Sequence, residues 1–409
     1  MLRSLFTGIS GLRAHQNMLD TTSNNVANVN TAGYKASHTV FYDTLSQLLA
    51  DATAAQGGNG GTNPAQIGLG VQTGTIVTDQ TQGSPQQTGR TLDVMITGSG
   101  YFVVRDNDEQ LYTRNGAFGL DGSGRLITAS GQVVQGWLAQ NGEIDTNKAV
   151  SDLRVPINTT IGAMATTAVS FAGNLPANLT PGADTALVRT ATVYDAVGNA
   201  KDLTLTFTRN ASNAAHPQGT WTVLAQTTGQ NGTDVTNTVT LDINTDGSLT
   251  PSGALALNNN DDVDIAIDLS ALTGYSDLTT AEVSEVDGQA AGVLRSIAIG
   301  PDGTVIGTFS NGLRQDIAQL ALASFNNIDG LEKAGDSTLR ATANSGAAQI
   351  GVAGNGNRGT LTGSALEMSN VDLSQEFTNM IIAQRGFQAN SRVITTSDEI
   401  LQELVNLKR

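Results

Sequence analysis

Apolar residues recur at alternating steps of three and four at both ends of this chain, and at steps of two through much of its interior. At the start, Leu2, Leu5, Ile9, Leu12, Gln16 and Leu19 keep that spacing with one polar interruption. At the end, Leu373, Phe377, Met380, Gln384, Phe387, Ser391, Ile394, Asp398, Leu401 and Val405 keep it for longer. Such a stripe belongs to a helix whose apolar seam needs a partner. Each end is the other's obvious candidate, so the start and end of the chain are expected to pack as a coiled coil. Asn370 or Asp372 would cap the second helix, which would run roughly 55 Å at 1.5 Å per residue. Gly11, Gly386, Asn390 and the polar seam positions weaken the pair, which would order fully only against neighbouring molecules.

Between the ends the punctuation is that of β structure. Asn115-Gly116, Asp121-Gly122, Asn141-Gly142, Asp302-Gly303 and Asn311-Gly312 are hairpin dipeptides. Strands are predicted over 100–105, 110–118, 125–127 and 132–138, then over 186–194, 202–208, 220–225, 235–244, 262–269 and 293–299, and last over 305–309 and 318–325. The Gly-, Ala- and Asn-rich stretch 52–75 reads as a flexible connection, as does 351–363. If chain start meets chain end, the elements between them nest. The expected fold class is α+β. Terminal helices lie in 1–35 and 361–409, with a connecting segment over 36–69. An inner β-rich domain of barrel or sandwich type takes 70–155 and 290–360, and an outer β domain takes 156–289.

The chain carries 37 acidic against 21 basic residues, a formal net charge of −16. That surface repels nucleic-acid phosphates and anionic lipid, so neither is an expected partner. From Asn210 to Leu294 there is no Lys or Arg at all. The absence of cysteine excludes disulfides, thiol nucleophiles and Cys metal sites. No apolar run of about 18 residues exists to span a membrane. The first residues lack a small-residue cleavage pattern after an apolar core, so no cleaved secretory signal is read there, and export would use another route.

No constellation points to catalysis, a cofactor or a metal. His15, His38 and His216 have no metal-ligand spacing. Asp242–Gly247 mimics the start of a calcium loop, but Gly253 stands where the loop needs Glu, so the segment reads as a hairpin turn. The acidic cluster 261–268 reads as a solvated strand edge. The glycine runs 57–61 and 351–359 lack the strand-to-helix context and the Lys of a phosphate loop, and read as flexible joints. The chain is not expected to be an enzyme.

The run 23–35, SNNVANVNTAGYK, resembles the signature of the flagellar rod and hook axial protein family. The spacing of Asn25, Ala27, Asn28, Thr31, Gly33, Tyr34 and Lys35 carries that resemblance. Segments 113–118, 365–373 and 380–390 are similar to the same family. Physically, asparagines tolerate left-handed geometry and bond the backbone, which suits a helix exit followed by a sharp turn. Chain length, the runs 370–376 and 404–409, and the position of 156–289 favour the hook branch. Phe41 and Leu45 resemble an export-gate recognition motif; four apart, they would share one helical face.

The resemblance implies a subunit that polymerises with copies of itself into a flexible tube, a universal joint passing motor torque to the filament. Its assembly seam would be Leu5, Ile9, Leu12, Leu19, Leu373, Phe377, Met380, Phe387, Ile394, Leu401 and Val405. It also implies contact with a distal rod protein, a hook cap, a hook–filament junction protein and the flagellar type III export gate, and a place outside the cell. A distal-rod subunit and a secreted β-rich adhesin remain alternatives.

Overall fold

The computed structural model describes residues 2–52, 54, 61–140, 142–156, 160–182, 185–212, 214, 216–228, 233–259 and 263–406. The chain is β-rich with one long helix at each end. Its residues gather into two compact units. The first comprises 1–155, 297–307 and 315–409; the second comprises 156–296 and 308–314. The second is therefore an excursion in sequence from the middle of the first.

In the first unit, helix α1 (Leu2–Ala27) packs along helix α2 (Leu373–Asn406). The contact is made by small residues. A Cβ placed on Gly11 would lie 2.7 Å from Asn390 Nδ2, one on Gly8 3.2 Å from Ile394 Cγ1, and one on Gly386 2.5 Å from His15 Cε1. Ala14 and Thr22 on α1, and Ala383 and Ser397 on α2, are buried. This corrects the predicted seam. Leu5, Leu12, Leu19, Met380, Ile394 and Leu401 are half-buried, but Ile9, Leu373, Phe377, Phe387 and Val405 are exposed. The reason is geometric: the glycines open gaps that Ile394, Asn390 and His15 of the facing helix fill, and the other large side chains turn outward.

The stretch 36–69 and the loop expected over 52–75 are also corrected. Strand Ser37–Asp43 pairs antiparallel with Val71–Thr78, and Ser46–Ala50 pairs with Ala65–Gly68, making an extended ribbon. The Val, Thr, Ile and Leu residues at 39–50 and 67–77 supply β propensity that outweighs the flanking glycines. The ribbon lies on α1, where Asn17 Nδ2 donates to Thr73 Oγ1 at 3.0 Å and Thr39 Oγ1 to Thr21 Oγ1 at 3.1 Å. Phe41 is thus on a strand, opposite Thr73, not on a helix. The glycine run 57–61 lies, apart from Gly61, outside the described residues.

The first unit's main sheet runs in the order Glu332–Gly335, Thr338–Arg340, Glu109–Thr113, Tyr101–Asp106, Val133–Gln140, Arg314–Leu320. Alternation along 101–104 sends Phe102 and Val104 to one core and Tyr101 and Val103 to another, so both faces are covered. Phe102 meets Phe118 edge to face at 5.0 Å, and Tyr112 meets Phe325 at 4.8 Å. The 351–359 stretch is held tightly: a Cβ on Gly359 would fall 2.2 Å from the Thr97 carbonyl oxygen. It is no loose joint.

The second unit builds a five-stranded antiparallel sheet, Leu187–Tyr194, Ala200–Asn210, Thr220–Thr228, Asp234–Ile243 and Leu249–Pro251. A four-stranded sheet accompanies it, in the order Leu255–Asn259, Val263–Thr273, Ala168–Asn174, Glu282–Val286. The two share one core around Trp221, Phe207, Phe171, Leu205 and Leu257. Residues 244–247 form the turn into Leu249–Pro251, with Asn244 N–H donating to the Ser248 carbonyl at 2.9 Å. The strand Val263–Thr273 is paired on both sides, so Asp264 and Asp268 sit on the exposed face of an interior strand and not on an edge; Asp261 and Asp262 lie outside the described residues. The wall of neighbours that makes this strand interior comes from 168–174, nearly a hundred residues away, a pairing that periodicity does not reveal.

One tryptophan lies in each unit, Trp137 in the first and Trp221 in the second. In a Trp137→Phe background, Phe207→Ala is expected to lower the second unit's stability by about 3–5 kcal/mol, read as an earlier denaturant midpoint of Trp221 fluorescence.

Candidate assembly junction

The axial signature begins where α1 ends. Asn28 folds back, its Nδ2 donating to the Asn24 carbonyl at 2.9 Å while its Oδ1 accepts from Thr31 Oγ1 at 3.0 Å. Asn25 is buried and binds the returning chain as a backbone would. Its Nδ2 donates to the Ser37 carbonyl at 2.8 Å, and its Oδ1 accepts from Ser37 N–H at 3.0 Å and from Tyr34 Oη at 3.1 Å. Gly33 has φ +72°, and a Cβ there would lie 2.8 Å from the Arg114 carbonyl carbon. Left-handed geometry and backbone contact together demand glycine. Ala27 is exposed at the helix end.

That turn delivers Lys35 to a buried carboxylate. Glu367 Oε1 accepts from Lys35 Nζ at 2.6 Å and from Gly83 N–H at 3.0 Å, and Oε2 accepts from Arg114 Nε at 2.9 Å. The Glu367 carbonyl accepts from Gly33 N–H at 2.8 Å. Arg114 spends its remaining donors on the carbonyls of Gly100 and Gly98, each at 2.7 Å, and Lys35 also reaches the Thr81 carbonyl at 2.6 Å. Burial by itself would push the Glu367 carboxyl up. The Arg114 charge and the hydrogen bonds from Lys35, Arg114 and Gly83 outweigh it and hold the carboxyl below its ordinary value. Burial pushes the Lys35 ammonium down, and Glu367 only partly restores it.

The entry to α2 is fastened to the same place. Asp372 caps the helix, its Oδ1 accepting from Ser374 N–H at 2.8 Å. Asn370, the other candidate cap, instead accepts from Ala36 N–H at 2.8 Å and donates to the Asp79 carbonyl at 3.0 Å. Glu376 is buried in the first turn of α2, where the helix dipole favours a carboxylate.

The structure thus gathers Asn25, Asn28, Thr31, Gly33, Tyr34 and Lys35 into one junction. It does not bring Phe41 and Leu45 to it: Phe41 packs edge-on to His15 at 5.9 Å, and Leu45 is exposed beyond the strand. Sequence reasoning missed Glu367, Arg114 and Asn370 as partners of the signature. All three lie in segments noted for their resemblance, but Lys35 and Glu367 are 332 positions apart and no spacing rule links them. Among the described residues, no group of three or more His, Asp or Glu is placed to hold a metal, and no helix is long and apolar enough to cross a membrane.

Residues 5–35 match the family described as flagella basal body rod protein, and 362–407 the flagellar basal body rod FlgEFG protein C-terminal family. Residues 95–173 match the flagellar hook protein FlgE/F/G D1 domain, and 162–289 the flagellar basal body protein FlaE D2 domain. The flagellar hook protein FlgE of Treponema pallidum is 38% identical over 463 residues, covering all of both chains; that of Borreliella burgdorferi is 35% identical, also over all of both. The chain belongs to the flagellar hook protein FlgE family. It is a structural subunit and not an enzyme. The flagellar basal-body rod protein FlgG of Bacillus subtilis is also similar, 33% identical over the whole of both chains. The crystal structure of Helicobacter pylori flagellar hook protein FlgE2 shares the fold, with TM-score 0.55 and 14% identity over 69% of this chain and all of that one.

A carboxyl with a folded pKa below its unfolded value of about 4.3 contributes stability above that value and loses it as pH falls through the folded pKa. Glu367→Gln is therefore expected to cost about 3–5 kcal/mol at pH 7. The gap between wild type and variant should close on acidification below about pH 4.3. Thermal melts of both chains from pH 7 to pH 3 check it; a gap that stays constant would show that Glu367 does not act through its charge.

Proposed function

We propose that this chain polymerises head to tail into the tube of the flagellar hook, and that the outward apolar stripes of its terminal helices drive that assembly. The observation that carries the reading is the exposure of large apolar side chains along the helix pair. Phe6 is 68% exposed, Phe377 51% and Ile381 58%, and Ile382, Phe387, Val393 and Ile400 are exposed too. Large apolar side chains exposed in such number along one helix pair mark an interaction site. The contact between α1 and α2 leaves the apolar face for other copies, so the coiled-coil role assigned to Leu5, Leu12, Leu19, Met380, Ile394 and Leu401 is shared between the pair and its neighbours, while the exposed Ile9 serves neighbours. Leu373, Phe377, Phe387 and Val405 serve neighbours alone.

The signature residues keep the exit of α1 and the entry of α2 at one fixed point, so a load on the helices passes to the β domain through hydrogen bonds and buried ion pairs. Polar contacts between the acidic surfaces of neighbouring copies would let the tube bend while it turns, as a universal joint does. Phe41 and Leu45 would be read by the export gate before the strands form. The remaining partners are the distal rod protein, the hook cap and the hook–filament junction protein, and the polymer stands outside the cell. The similarity to a full-length rod protein supports a second reading, a distal-rod subunit.

Phe377→Ser combined with Ile381→Ser is expected to leave the melting of both β units unchanged and to abolish polymerisation, as followed by light scattering and electron microscopy. Assembly of that variant at the wild-type concentration would count against the helix-face mechanism. Curved wild-type polymers support the hook; straight, stiff ones support the rod.

A further inference from the structure

Beside the junction lies a cavity of about 220 Å³, bordered by Tyr34, Tyr101, Ile328, Lys333 and Leu339. Lys333 stands at its wall. The Lys333 Nζ donates to Ser37 Oγ at 3.2 Å and sits 5.5 Å from the centre of the Tyr34 ring. Among the described residues no carboxylate lies within 4 Å of it, although Asp329 and Asp336 border the same space. Lys35 and Arg114, the other cations there, are both committed to Glu367. Lys333 is thus a cation with donors to spare on the rim of a cavity large enough for side chains.

A matching feature lies at the far end of the hairpin whose Tyr101 lines the cavity. Strands Tyr101–Asp106 and Glu109–Thr113 pair from Phe102↔Thr113 to Asp106↔Glu109. Tyr101 at one end of the hairpin lines the cavity, while the turn at Asn107-Asp108 is the far end, roughly 17 Å away at five residues of 3.4 Å. Asp106, Asn107 and Asp108 are all exposed, and Asn107 takes the left-handed φ of +53° that a tight turn needs. Glu109 next to them is neutralised by Arg340. Asp106 accepts only from its neighbour Asn107, at 3.0 Å, and neither Asp106 nor Asp108 has a cation partner among the described residues.

We propose that the cavity at Lys333 receives the Asp106–Asp108 turn of a second copy of this chain. The contact rests on the self-assembly reading and gives it a specific β-domain interface. The cavity, lined by Tyr101 and by Lys333 of the strand Glu332–Gly335, and the turn lie at opposite ends of the Tyr101–Thr113 hairpin, so a translation along the strands seats the turn of one copy on the cavity of the next and leaves its own cavity open. A heterologous contact of that kind does not close, and repetition extends it. The desolvated pairing of an Asp carboxylate with Lys333 supplies direction and register, which apolar helix faces by themselves specify poorly.

The chain's lack of cysteine makes the test direct. Full-length Asn107→Cys and Asp336→Cys chains, mixed, polymerised and oxidised, are expected to yield crosslinked dimers on denaturing gels, which neither variant gives by itself. Lys333→Glu and Asp108→Lys are each expected to raise the critical concentration for assembly by about tenfold or more, and the double reversal to return it to near wild type. Polymers that form without the crosslink, or a double variant no better than the singles, overturn this contact and leave the helix-driven assembly standing. A wild-type chain that forms no polymer overturns both.

Discussion

Everything in the first unit is referred to one buried carboxylate. Glu367 joins the turn after α1, the hairpin arginine Arg114 and the segment at Gly83, three stretches that the chain itself keeps far apart. A carboxylate with four lone-pair sites can serve such a crossing only if each donor arrives from a fixed backbone. The signature supplies that rigidity. Gly33 permits the turn, Asn25 holds the strand that follows, and Asn370 ties the chain before α2 to Ala36. Removing any one donor would leave the buried carboxylate short of a partner, so these residue types are mutually dependent rather than separately useful.

The helix pair follows a different logic. Inside a single chain glycines of one helix receive Ile394, Asn390 and His15 of the other, and the phenylalanines Phe6, Phe377 and Phe387 stay on the outside. A fully buried seam would make a self-sufficient hairpin with nothing left to bind. The close, small-residue contact instead aligns two helices and presents their combined apolar surface outward. Gln384, Arg385, Gln388 and Arg392 divide that surface with polar groups.

The β units show how far alternation carries. The strands at 101–106, 133–140, 187–194, 200–210 and 220–228 were legible, to within a few residues, from their β patterning and hairpin dipeptides. The strand Ala168–Asn174 was not. It pairs in parallel with Val263–Thr273, and a parallel partner is joined by a long crossover with no turn signal to announce it. The ribbon 37–78 was missed because its glycines and asparagines suggest a loop, while its cross-strand partners stabilise it as β.

The sequence by itself determined that both ends are helices, that the middle is β-rich, that no thiol chemistry is available, and that a signature turn follows α1. These are local properties, fixed by neighbours a few positions away. Which face of each helix turns inward, that Lys35 and Arg114 meet on Glu367, and that Lys333 is left without a carboxylate were decided only in three dimensions. They depend on close approach at glycines and on pairings across hundreds of residues, and a periodic pattern is the same whether its stripe is buried within one chain or kept for the next.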